Sequence, residues 1–216
     1  MVRNAGPNLQ HVLPSRYRAR VGAQTAASGS RAAETAARKR RLLAAATTLA
    51  ASGGYDAVQM RDVAATAEVA LGTLYRHYAS KDQLLLAAMA QQAATLRDRM
   101  VHRPPRGATP AERVAEVLQR ACRALERQPL VTKAMLTAMS TDDEGAIPIK
   151  HDIDTTLRAI IADAVDGGAP RQPDLDAIVR VLGSVWFAEL TYWSSGLSQG
   201  ASMGENLGVA AQLLFR

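Results

Sequence analysis

Residues Gln59 to Lys81 read QMRDVAATAEVALGTLYRHYASK, and their apolar positions fall into two short helical stripes. Val63, Ala64 and Ala67 make the first; Val69, Leu74 and Tyr78 make the second. Each helix can therefore bury one face against the other and against a helix before it. The spacing predicts a helix-turn-helix, whose second helix lies in the DNA major groove while the first crosses the backbone. That second helix presents Gly72, Thr73, Tyr75, Arg76 and His77. Thr73, Tyr75 and His77 carry phosphate-bonding groups, Arg76 reaches a phosphate or a guanine edge, and the absent side chain of Gly72 permits close approach. The expected first act of the chain is binding duplex DNA.

Charge supports this reading by its placement. Residues 1–41 hold nine Arg and Lys against one acid, Glu34, so of the chain's 26 bases and 20 acids the remainder keeps 17 and 19. The basic excess sits wholly at the front, beside the helix-turn-helix, where neutralising phosphates releases counterions. A solvated charge run is the plainer account of the same residues.

With 216 residues and 48% hydrophobic content, the chain can form two domains or one large helical domain around an ample core. No stretch of about 18 apolar residues occurs, so no membrane partner is expected. Cys122 stands alone and reads as a small buried residue in a reducing compartment. His11, His77, His102 and His151 have no metal-ligand spacing, and no metal or cofactor is expected.

Residues 1–33 combine Arg with Gly, Pro, Ser and Ala, without an acid or apolar periodicity, and are expected to be a disordered basic arm. In composition the arm also resembles an organelle transit peptide, whereas a secretory signal lacks its apolar core region here. A helix is predicted from Ala33 or Glu34 to Ser52, opening on Arg38, Lys39, Arg40 and Arg41 and stopped by Gly53 and Gly54. Ser80 is a candidate N-cap for a fourth helix reaching about Arg99. Further helices are predicted from Thr109, from Leu130 to Met139, from Ile149 to Val165, from Pro173 or Asp174 to Ser195, and from Ser202 to Leu214. Asp142, Asp143 and Glu144 read as a solvated loop or helix start rather than a catalytic pair. The expected fold is all-α, about nine helices, with a DNA-binding domain at 34–82 and a helical ligand-binding and dimerisation domain at 83–216.

The runs GGYDAVQMRDVA and VALGTLYRHYASKDQLL resemble the DNA-binding segment of the TetR family of bacterial repressors, over residues 38 to 86. Within that family, QMR, VALGTLYR, RALERQPLVTKAMLTAM at 123–139 and VWFAELTYW at 185–193 are similar to the KstR-like regulators of cholesterol and steroid catabolism. The resemblance implies that Arg38, Met60, Arg61, Leu71, Gly72, Thr73, Tyr75, Arg76, His77 and Lys81 face DNA. Thr73, Tyr75, His77 and Lys81 would hold phosphates, while Leu71, Gly72 and Arg76 lie where bases are read. Leu71 and Tyr75 also suit plain packing, and Lys81 a solvated charge. It further implies a cytoplasmic, nucleoid-associated homodimer on a palindromic operator, closed through the last two helices and released by a steroid carried as a coenzyme A thioester.

Met89, Met135, Met139, Trp186 and Trp193 suit either core or the wall of a pocket for a large apolar effector. Glu189, amid that apolar run, reads as interfacial or as a polar anchor at the pocket wall. A regulator of an efflux pump sensing lipophilic cations is the alternative, with Glu189 and the tryptophans as the clamp. A helical acyl-CoA-binding protein or enzyme is more remote, because no nucleophile or acid–base constellation is visible and no enzyme is expected.

Overall fold

The computed structural model describes residues 15–166, 174–197 and 202–215, and every regular element among them is helical. In chain order these are α1 (Ser15–Ala57), α2 (Met60–Thr66), α3 (Leu71–His77), α4 (Lys81–His102), α5 (Pro110–Glu126), α6 (Pro129–Met139), a 3-10 turn at Glu144–Ala146, α7 (Ile147–Asp166), α8 (Leu175–Ser195) and α9 (Met203–Leu214). The all-α expectation holds. Two compact units divide the chain, Met1–Arg41 and Leu42–Arg216.

The largest difference from the sequence reading is at the front. Helix α1 begins at Ser15, inside the stretch expected to be a disordered arm. Residues 1–14 of that stretch lie outside the described residues. Arg, Ala and Gln have high intrinsic helix propensity and need no apolar stripe to adopt the conformation, so periodicity alone misses such a helix. At its other end the two glycines act as expected: Gly53 and Gly54 leave helical geometry, and Gly54 takes φ 72°, which a side chain would resist.

Later boundaries follow their caps. Ser80 accepts the Gln83 N–H at 3.2 Å and starts α4. Thr109 accepts the Glu112 N–H while the Glu112 carboxylate accepts the Thr109 N–H, a reciprocal box ahead of Pro110. Ser202 and Glu205 repeat the device at α9. Arg113 on α5 donates to the carbonyls of Ala164 and Val165 at 2.8 and 2.9 Å, satisfying two carbonyls in the last turn of α7. Gly167 and Gly168, expected to stop that helix, lie outside the described residues.

Two hydrophobic clusters fill the larger unit. One joins α2, α3, the N-terminal half of α4, α6 and Ile153 of α7. It runs across residues 82 and 83, where the sequence suggests a division between reader and body, so these parts share a core. The other packs α5, α8 and α9 around the C-terminal half of α7. Cys122 is buried there, and burial pushes its thiol up to about 12. No helix of the described residues is long and apolar enough to cross a membrane, and none of their His, Cys, Asp and Glu group as metal ligands would.

Two outcomes check this packing. Leu118, fully buried, should lose about 3 kcal/mol of unfolding free energy as Leu118→Ala, read by urea titration. Cys122 should stay unreactive to a thiol reagent at pH 8 in the native protein and react fully once unfolded.

Candidate nucleic-acid interface and ligand cavity

Helices α2 and α3 are seven residues each, too short to persist alone, so their position depends on buried anchors. Val63 and Leu74 are fully buried, and Ala64, Ala67 and Tyr78 nearly so. The turn between them closes through the Val69 N–H on the Ala64 carbonyl at 2.9 Å. Glu68 takes the left-handed conformation, φ 54°, to make it.

With Leu74 and Tyr78 inward, α3 turns Gly72, Tyr75 and Arg76 outward. Tyr75 is 50% exposed, so the packed-aromatic reading fails for it. Arg76 donates to the Thr73 hydroxyl at 2.7 Å, which sets one guanidinium edge and leaves the others outward. Nothing in the protein requires glycine at 72: a Cβ there would meet no atom within 4 Å. The vacancy is useful only to something approaching from outside. Met60 and Leu71 are half-buried and pack against the core cluster, which ties both to structure. Arg61 is exposed, and His77 is half-buried with its ring 6.3 Å from that of Tyr78.

Lys81 has a support that its place in the sequence did not reveal. Its Nζ lies 3.8 Å from the centroid of the Tyr55 ring. Tyr55 is itself fixed by donating to the Asp82 carboxylate at 2.6 Å. Burial, with Asp82 beside it, pushes the Tyr55 phenol up to about 12. Tyr55 thus positions a cation at the start of α4. Arg38 belongs to the smaller unit, where it pairs with Glu34 at 2.7 Å.

The larger unit also holds a cavity of about 1190 Å³. Met89, Met139 and Trp186 line it, among leucines and Phe187. The other three expected residues do not. Met135, 2% exposed, is in the core with Val131 and Ala138. Glu189 faces α9, accepting from Asn206 Nδ2 at 3.0 Å, and Trp193 is half-buried away from the wall. Sequence reading also missed five cations on the lining: Arg99, Arg127, Lys150, Arg158 and Arg180. They come from α4, the residue that caps α5, α7 and α8, so no local pattern exposes their convergence. Among the described residues Asp154 is the single acid on the lining, and it pairs with Arg158 at 2.6 Å.

A two-helix reading unit joined through one long helix to a cavity-bearing helical body is the build of a one-component regulator. Residues 42–88 match the family described as bacterial regulatory proteins, tetR family, and residues 107–214 match the tetracyclin repressor-like C-terminal domain. The HTH-type transcriptional repressor KstR of Rhodococcus jostii (strain RHA1) is 36% identical over 163 residues, 76% of each chain. The crystal structure of a TetR transcriptional regulator from Rhodococcus sp. RHA1 superposes with TM-score 0.75 at 32% identity, over 84% of this chain and 97% of that one. Thermus thermophilus FadR, solved with lauroyl-CoA, shares the fold with TM-score 0.65 at 23% identity, over 82% and 92%. The chain belongs to the TetR family of transcriptional regulators.

Gly72 gives a test that separates folding from reading. Gly72→Ala should leave the unfolding free energy unchanged or slightly raised, because alanine loses less backbone entropy than glycine in the first turn of α3 and meets no atom there. In gel-shift titration the same variant should bind operator duplex several-fold more weakly; unchanged binding would remove Gly72 from the interface.

Proposed function

We propose that the chain is a ligand-responsive repressor that binds a palindromic operator as a homodimer and is released by an amphiphile with a large apolar body and an anionic head. A steroid or acyl coenzyme A thioester has that chemistry, and genes of sterol or lipid catabolism are the fitting targets. The observation that carries the ligand reading is the wall of the cavity: leucines, methionines, Trp186 and Phe187 around about 1190 Å³, with five cations and one acid among them. These cations gather in a stretch, residues 42–216, whose bases are outnumbered by acids, 17 to 19. Such local excess attracts phosphates. A sensor of lipophilic cations would need the reverse arrangement. Glu189, the acid suited to that role, is absent from the lining and bonded to α9.

For the operator, the carrying feature is α3 with its outward Gly72, Tyr75 and Arg76. Phosphates would meet Thr73, Tyr75, His77 and the Tyr55-supported Lys81, with Arg61 approaching from α2. One α3 covers one half-site, and a two-fold partner supplies the second about 34–36 Å along the duplex. Val181, Tyr192, Val209 and Leu213 are half-exposed apolar residues on α8 and α9, a surface suited to a second copy. The protein then works at the nucleoid, in the cytoplasm.

Charge reversal at the cavity tests the ligand class. The double variant Arg127→Glu with Arg180→Glu should weaken binding of an acyl-CoA by at least tenfold in calorimetry, with apo operator affinity within threefold of wild type. Retained thioester affinity would contradict the head-group assignment. At the reading end, Arg76→Glu should abolish preference for operator over random duplex while leaving the thermal midpoint in place.

A further inference from the structure

The loop between α6 and the 3-10 turn carries a carboxylate that is bonded to the first turn of α4. Asp143 Oδ2 accepts from the Ser80 hydroxyl at 3.0 Å and from the Gln83 side-chain amide at 2.8 Å. Its other oxygen accepts the Gly145 N–H at 2.8 Å, which fixes the carboxylate's orientation. Gln83 in turn accepts the Ala79 N–H at 3.0 Å through its own oxygen. The network therefore ends on the backbone one residue past Tyr78, the buried anchor that follows α3. The contact is close enough that a Cβ on Gly145 would stand 2.5 Å from Gln83 Nε2. These bonds hold the Asp143 carboxyl below the usual carboxylate range, Gln83 contributing most.

The helices on either side of this loop reach the cavity. Met139, the last residue of α6, and Lys150, on the first turns of α7, both line it. Lys150 Nζ donates to the Thr141 carbonyl at 2.6 Å, so one cavity cation holds the loop two residues before Asp143. An anionic group in the cavity competes with that carbonyl for the ammonium, since a charged acceptor is the stronger partner.

We infer that Asp143 is the latch through which an anionic ligand in the cavity acts on the reading helix: the ligand draws Lys150 off Thr141, the loop relaxes, and Asp143 releases Ser80 and Gln83. The inference rests on the thioester reading for its ligand, but the latch itself belongs to the operator-binding conformation. Asp143 touches neither DNA nor ligand; it is a positioning residue. Linkage then fixes opposite signs for its loss. Removing a bond made only in the operator-binding state lowers operator affinity and raises affinity for a ligand that prefers the released state.

Two variants test this in the full-length protein. Asp143→Ala removes the acceptor, and Gly145→Ala keeps the carboxylate but crowds its partners, a Cβ there standing 2.5 Å from Gln83 Nε2 and 3.1 Å from Asp143 Oδ1. Circular dichroism melts establish that both fold. In the absence of ligand, each should bind operator about tenfold more weakly than wild type. Oleoyl-CoA and a steroid CoA thioester serve as probes. Each variant should bind the releasing probe more tightly than wild type and show a smaller ratio of operator affinities without and with it. Wild-type operator affinity in either folded variant overturns the latch, whether or not a probe binds. Parallel weakening of operator and probe overturns it too, since that is the signature of a merely structural role. If no thioester releases the wild type, the ligand reading of the preceding section fails, and the ligand-free comparison still decides the latch.

Discussion

Leu84, Leu85 and Leu86 are consecutive on α4 and all fully buried. Successive side chains on a helix point about 100° apart, so three in a row can be covered only if the helix is packed on more than one side. The cluster that buries them draws on α1, α2 and α3 as well as on α6 and α7. The first turns of α4 therefore belong to the reader and to the body together. Neither can move far without the other, because close-packed interiors shift between discrete arrangements rather than deforming smoothly.

That constraint gives the rest of the molecule its logic. A short recognition helix needs a rigid seat, and Leu74 and Tyr78 provide it by inserting into the shared core. Leaving Gly72, Tyr75 and Arg76 outside is the consequence of burying Leu74 on a seven-residue helix and Tyr78 just after it. The cavity lies along the same α4, between Met89 and Arg99 on that helix and residues of α7 and α8 opposite. On the proposed function, a ligand filling it would set the separation of helices that α4 connects to the operator side. The effect is limited by how much better the ligand fits the released arrangement; a 100-fold release corresponds to roughly 2.7 kcal/mol of such preference.

The fold was largely legible from residues alone because its signals are local. Ser80, Thr109 and Ser202 mark helix starts, Gly54 marks a stop, and the Val63–Tyr78 stripes mark the helix-turn-helix. The front of α1 was not legible, since a stretch rich in Arg and Ala lacks the apolar rhythm by which buried helices are recognised. The two sites differ in the same way. The outward set on α3 follows from knowing which residues go in. The cavity wall does not: Met135 and Met139 share one helix yet only Met139 reaches the space, and Arg99, Arg127, Lys150, Arg158 and Arg180 meet only in three dimensions. Residue type separated core from cavity for neither Trp193 nor Glu189.

The most direct measurement is affinity selection of genomic fragments by the purified full-length chain, run with and without a steroid CoA thioester. Without ligand, a small set of fragments sharing an inverted repeat should be enriched over random duplex; with ligand, that enrichment should disappear. Enrichment of no fragment, or of the same fragments at undiminished levels when the ligand is bound, would contradict a reader and a cavity coupled through α4.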